Sequence, residues 1–266
     1  MSAVELQTVQ LRVSDGVAWL TLNRPEALNA WTRRLGEDML AALDRAQDDA
    51  GVRALVIGGA GRAFSSGADL KSGGELGADG RPDVGAQLRE VYNPLILRVR
   101  TIPKPVIAAV NGPAVGIGCS LALACDMLLA SERAYFLLAF VNIGLALDGG
   151  ASMLLPALAG HARAFELAYT GQRLSAERAL AWGLVNEVLP AERLPERARE
   201  LAGRLAGGPP GSFAAIKRAI NAAAYARLDE QLELEATLQQ ERVRSQDFAE
   251  GVLAFLQKRP PRFTGA

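Results

Sequence analysis

The sequence predicts an α/β fold whose core strands run largely parallel. Three observations point there. The runs RALVIGG, KPVIAAV and MLLAS are short and almost wholly apolar, the composition of strands buried on both faces. Segments with helical spacing of apolar residues alternate with them, as in a chain of strand–helix units. Beyond Gly207-Gly208-Pro209-Pro210-Gly211 the chain is helical in pattern almost throughout.

The elements follow in order. VQLRV and VAWLTLN flank Ser14-Asp15-Gly16, a hairpin signal that Arg24-Pro25-Glu26 ends. Leu35, Met39, Leu43 and Ala46 share one face of a helix expected from about Thr32 to Asp49. RALVIGG is the first buried strand, and GRAFSSGADL follows it. Gly73, Gly74, Gly77, Gly80 and Gly85 then mark a mobile stretch, either a surface loop or a flap over a site. A helix is expected from Val84 to Arg100 and a second buried strand in KPVIAAVNG. PAVGIGCS opens an apolar helix, MLLAS is strand-like, and LVNEVLP is a late strand. The glycine–proline cluster divides a body at 1–206 from a helical region at 207–266. That tail cannot build a large core alone and must pack on the body or on another subunit.

Composition excludes several classes of function. Lys plus Arg and Asp plus Glu balance at 29 each, so the chain has no footprint for nucleic acid or an anionic membrane. No basic, then apolar, leader opens it, and no apolar run is long enough to span a bilayer. Cys119 and Cys125 are too few for a disulfide framework and read as reduced, buried thiols of a cytoplasmic protein. His161 is the one histidine, on which a histidine-based triad and most zinc sites would depend; in a turn entering a helix without clustered ligands it reads as a structural or surface residue, and no metal site is expected. The chemistry therefore falls to carboxylates, backbone amides or a bound cofactor.

Two glycine-rich turns follow two buried strands, at Ser65–Leu70 and Gly112–Ser120. Such turns let a ligand approach the main chain and present free N–H groups to negative charge. The second contains G-x-G-x-x-L and lacks the third glycine of a dinucleotide fingerprint. Asp148, in GLALDGGAS, sits on a tight turn before ASMLLPALAG and reads either as a helix N-cap or as an acid–base group.

The segments LNRPEALNA, AFSSGADL, KPVIAAVNGPAVGIGCSLALACD, FVNIGLALDGGAS, YTGQRLSAERALAWGLVNEV and FLQKRPPRF occur in that order. By them the chain resembles the crotonase superfamily of enoyl-CoA hydratases and isomerases along nearly its whole length. The resemblance implies a spiral of ββα turns with a C-terminal helical trimerisation region, as a homotrimer or a dimer of trimers. It implies an acyl-CoA thioester as substrate and no separate cofactor. By position, the N–H groups of Ala68 and Ile117 are the oxyanion donors. Arg24 and Ala27 border the pantetheine and phosphates, and Ser66, Asp69 and Leu70 contact CoA mainly through main chain. Phe136 and Phe140 help shape the acyl pocket. Phe255 and Lys258 correspond to residues that reach a neighbouring subunit's CoA, although Lys258 also fits a solvated helix terminus.

Family hydratases carry two glutamates where this chain has Ser120 and Phe140. Asp148 matches the lone aspartate of family isomerases acting on epoxyphenylacetyl-CoA or 3-enoyl-CoA. The expected activity is therefore a double-bond shift through a thioester enolate with Asp148 as acid and base. Alternatives on the same fold are a hydratase, a thioester hydrolase, a dehalogenase-type substitution and a non-catalytic CoA binder.

Overall fold

The computed structural model describes residues 6–70 and 82–266. The hairpin forms as expected: β1 (Val9–Ser14) pairs antiparallel with β2 (Val17–Leu22) around Asp15 and Gly16. Both turn residues have positive φ, 52° and 75°, the turn whose twist matches that of the strands. Helix α1 (Arg33–Asp48) starts where Thr32 accepts a hydrogen bond from Leu35 N at 3.2 Å, and it buries Leu35, Met39, Leu43 and Ala46. β3 (Ala54–Gly59), β4 (Val106–Val110), β6 (Met127–Ser131) and β9 (Glu187–Leu189) extend the sheet in parallel, in the order β1-β2-β3-β4-β6-β9.

A second, smaller sheet positions the site. β5 (Ala114–Val115) pairs with β7 (Tyr135–Leu137), which pairs with β8 (Leu174–Ser175). Single bridges extend it: Ser65 to Ala114, and Ala68 to Trp31. β4 is followed by β5 and then helix α4 (Ile117–Ala124). β6 is followed by β7, and later come helices α5 (Ala151–Ala159) and α6 (His161–Thr170). This is the ββα spiral. The two-residue strands carry too little pattern to be read from sequence, and their pairing is visible only in three dimensions.

The helix expected over Val84–Arg100 is broken into α2 (Val84–Gln87), a π turn at Leu88–Tyr92 and α3 (Asn93–Thr101). Pro94 is the cause at hand, because it has no N–H to donate to the turn before it. The glycine-rich flap falls mostly outside the described residues. Gly85 does not belong to it: it is buried in α2, and its N–H donates to Gln240 Oε1 at 2.8 Å.

The remaining elements are helical: α7 (Ala176–Ala181), α8 (Leu194–Ala206), α9 (Pro210–Ala224), α10 (Leu228–Val243) and α11 (Gln246–Leu256). The main core lies between the sheets and α1, α3, α4, α5 and α10, and α8 covers the other face of the large sheet. Lys217 ties α9 to the body. Its ammonium donates to Val99 O at 2.8 Å and pairs with Asp126 at 2.9 Å, and Asp126 also pairs with Arg100 at 3.3 Å. Cys119 and Cys125 are free and buried, and burial pushes both thiols up to about 12.

Removing the Lys217 ammonium while leaving its acceptors in place is costly. Lys217→Met is expected to lower the unfolding free energy by about 3 kcal/mol in urea titration, the loss typical of breaking one side of a buried ion pair.

Candidate active site

The two glycine turns meet at the small sheet. In the bridge to Trp31, the N–H of Trp31 donates to Gly67 O and the N–H of Asp69 donates to Trp31 O, at 2.8 and 2.9 Å. That ladder uses the groups on either side of Ala68 and turns the N–H of Ala68 away from Trp31. The second turn begins at Gly116, whose N–H donates to Leu137 O at 2.9 Å. Gly116 has φ 52° and ψ −127°, a conformation only glycine adopts without strain. α4 starts directly after it, so Ile117 is its first residue and its N–H has no intrahelical acceptor. All eight residues of α4 are buried, so the positive end of the helix dipole acts at Ile117 with little screening by water. A Cβ added to Gly116 would lie 3.7 Å from the Gly67 Cα, which shows how closely the two turns approach.

The loop at Arg24 is held against the first turn. The Arg24 guanidinium donates to Ala30 O at 2.5 Å and pairs with Asp69 at 3.1 Å. Ser66 donates from N to Leu28 O and from its hydroxyl to Ala27 O. These bonds hold Arg24 and Ala27 against Ser66 and Asp69, and Leu70 N donates to Ala68 O at 3.1 Å. Asn29, which sequence reasoning passed over, braces the Arg24 loop. Its buried amide donates to Ala60 O and Ala63 O at 2.9 Å each, and its Oδ1 accepts from Arg24 N.

Asp148 is not the N-cap of α5. Gly149 and Gly150 both have positive φ, Gly150 is the N-cap residue, and the Asp148 carboxylate makes no hydrogen bond to the α5 N-terminus. The α5 N-terminus is capped instead from α10: Glu235 accepts from Gly150 N at 2.7 Å, from Ser152 N at 2.9 Å and from the Ser152 hydroxyl at 2.5 Å. Asp148 packs against the start of α4. A Cβ on Gly149 would lie 2.7 Å from Ile117 Cδ1 and 2.8 Å from Ser120 Cβ. The Ser120 hydroxyl, at one absent glutamate position, donates to Asp148 O at 2.9 Å. Phe140, at the other, sets its ring edge near Gly116.

The Asp148 side chain is buried. Gln239 Nε2 donates to its Oδ2 at 3.0 Å, and Oδ1 has no partner. Burial raises its pKa to about 8, the nearby Glu235 carboxylate adds to the rise, and the Gln239 hydrogen bond offsets part of it. Tyr92, on the π turn, feels the Asp148 charge, and burial holds its hydroxyl far above the ordinary tyrosine range. The Tyr92 ring meets Trp31 edge to face with centroids 5.6 Å apart.

The structure does not gather every expected residue here. Phe136 faces an internal void with Cys119, Leu123, Leu155 and Leu167. Phe255 and Lys258 are exposed at the end of α11. His161 is exposed at the start of α6, and an apolar groove of about 730 Å³ between α5 and α6 borders the Asp148 turn from outside. Among the described residues no group of three His, Cys, Asp or Glu side chains is placed to hold a metal ion. No helix among them is long and apolar enough to cross a membrane.

Residues 12–266 match enoyl-CoA hydratase/isomerase. The chain belongs to the enoyl-CoA hydratase/isomerase family. It is an enzyme of that family with the crotonase fold. It is 43% identical over 260 residues to the 1,2-epoxyphenylacetyl-CoA isomerase of Escherichia coli, covering 98% of this chain and 99% of that one. It is 44% identical over 258 residues to a protein of Rhodobacter capsulatus named a probable enoyl-CoA hydratase, with 97% and 98% covered. The crystal structure of an enoyl-CoA hydratase from Mycobacterium avium subsp. paratuberculosis superposes with a TM-score of 0.89 at 42% identity, covering 98% of this chain and all of that one.

Because the folded protein holds Asp148 protonated more strongly than the unfolded chain does, its contribution to stability is complete below about pH 4. It is lost as pH rises to about 8 and is constant above. Asp148→Asn removes this loss. The variant is expected to match wild type in melting temperature near pH 4 and to exceed it by an amount that grows up to about pH 8.

Proposed function

We propose that this enzyme moves a double bond in an enoyl-CoA, converting a 3-enoyl-CoA to the conjugated 2-enoyl-CoA, with Asp148 as acid and base. One observation carries the reading. Of the two carboxylates buried here, Glu235 spends both oxygens on Gly150 and Ser152, whereas Asp148 keeps Oδ1 free. Asp148 takes a proton from C2 of the acyl chain. The C–H electron pair moves into an enolate, whose oxygen is held by the N–H groups of Ala68 and Ile117. The π electrons then collect the same proton at C4, and Asp148 returns to its starting charge. Each preorganised amide is worth about 2.7–4 kcal/mol at such an oxyanion. The reaction has no net proton or electron change, so it requires no cofactor beyond the thioester.

Hydration, by contrast, needs one group to activate water and another to deliver a proton. Ser120 spends its hydroxyl on Asp148 O, and Phe140 has no proton to give, which favours isomerisation. The identity to the epoxyphenylacetyl-CoA isomerase supports the same reading and makes 1,2-epoxyphenylacetyl-CoA a second substrate to try.

Under this proposal Arg24, Ala27, Ser66, Asp69 and Leu70 line the CoA path, and Phe140 closes the thioester end. Phe255 and Lys258 serve a neighbouring subunit of a cytoplasmic homotrimer or dimer of trimers. Exposed apolar side chains on α6, α9 and α10, among them Phe165, Tyr169, Ile216, Ile220 and Leu234, support such an assembly.

With a 3-enoyl-CoA, the conjugated thioester absorbance is expected to rise, while a 2-enoyl-CoA is hydrated little. Asp148→Asn should lower kcat at least about 10³-fold in a folded protein, since general acid–base catalysis typically supplies 10²–10⁴-fold. The base works ionised, so kcat/KM should climb with pH to a plateau above about 8. Rapid hydration of the 2-enoyl-CoA, or activity retained in Asp148→Asn, would reject the proposal.

A further inference from the structure

We propose that Gln239 is a positioning residue for this proton transfer: it grips Oδ2 of Asp148 and so assigns Oδ1 as the oxygen that carries the proton. The inference rests on the isomerase reading and specifies how its base is held. Gln239 is fully buried on α10, and its Nε2 reaches Oδ2 at 3.0 Å across 91 residues of sequence. The opposite orientation of the amide would set Oε1 against Oδ2, two acceptors with no proton between them when Asp148 is ionised. An ionised carboxylate in a dry site needs a donor, and Gln239 is the only side chain among the described residues that donates to it.

α10 is rigidly placed for this task. One turn before Gln239, Glu235 clamps Gly150 and Ser152 on the far side of the Asp148 turn. Asn93 of α3 donates to Leu232 O at 3.0 Å, and one residue beyond, Gln240 accepts from Gly85 N. The Asp148 turn is thus held from both ends by one helix, with its backbone fixed by Glu235 and its carboxylate by Gln239. The free Oδ1 is then limited to one direction, as a base that removes and returns a proton on one face requires.

The charged or titratable groups facing Asp148 are Glu235 from α10 and Tyr92 from the π turn, with Gln239 as the neutral donor. Their effects have opposite signs. The Gln239 donor favours the ionised carboxylate, so its removal raises the midpoint of Asp148. The Glu235 charge disfavours it, so removal of that charge lowers the midpoint.

The test uses Gln239→Met, which keeps the volume, Gln239→Glu, which keeps the shape, and Glu235→Gln, which keeps an acceptor for the α5 amides. Two readouts are taken on each: kcat/KM against pH with a 3-enoyl-CoA, and infrared titration of the protonated carboxyl stretch assigned by subtracting Asp148→Asn. Gln239→Met should move the Asp148 midpoint up by about one unit and lower plateau kcat by about tenfold, with KM nearly unchanged, and Gln239→Glu, which sets a second carboxyl against Oδ2, should raise the final deprotonation of the pair further. Glu235→Gln should move the midpoint down. A midpoint in the Gln239 variants that coincides with wild type, or a loss of melting temperature with no change in the pH profile, overturns the proposal. If wild type does not turn over the 3-enoyl-CoA, the isomerase reading fails. The infrared midpoints still decide whether Gln239 governs Asp148.

Discussion

An ionised carboxylate taken out of water loses hydration that only hydrogen bonds or opposite charge can replace. Asp148 is buried, has one neutral donor and lies near a second carboxylate. Its affinity for a proton is raised as a result. Much of the surrounding architecture keeps that costly arrangement in place. The glycines at 149 and 150 let the chain turn tightly over α4, Ser120 holds the main chain of the turn, and α10 closes the other side.

Seen from this site, the C-terminal helices are part of its wall. α10 supplies the cap for α5 and the donor for Asp148, and α9 is bound to the body through Lys217 and Asp126. Such bonds make the position of Asp148 depend on helices distant in sequence.

The amides of Ala68 and Ile117 come from a different device. The two glycine turns are joined by the bridge between Ser65 and Ala114, and a second bridge ties the first turn to Trp31 through Ala68. A backbone amide makes no demand on its own side chain, so Ala and Ile at 68 and 117 can each present one. The same geometry is compatible with several reactions of the enoyl-CoA hydratase/isomerase family, and the difference among them rests on the groups placed opposite those amides. In this chain Ser120, Phe140 and the Asp148 turn pack around the start of α4.

Elements whose signals are local were legible in the amino-acid order alone. The Asp-Gly hairpin, the buried face of α1, the apolar strands and the glycine turn into α4 are all set by neighbours within a few residues. Sequence could not decide whether Asp148 caps a helix, because local rules allow it. Tertiary structure decided that, by placing Glu235 on the α5 N-terminus from 85 residues away. A trace was present: Leu228, Leu232, Glu235, Ala236, Gln239 and Val243 form one buried stripe of α10, and two polar residues in such a stripe require partners. Which partners they find is a question of packing between distant helices, and no spacing within a single segment encodes it.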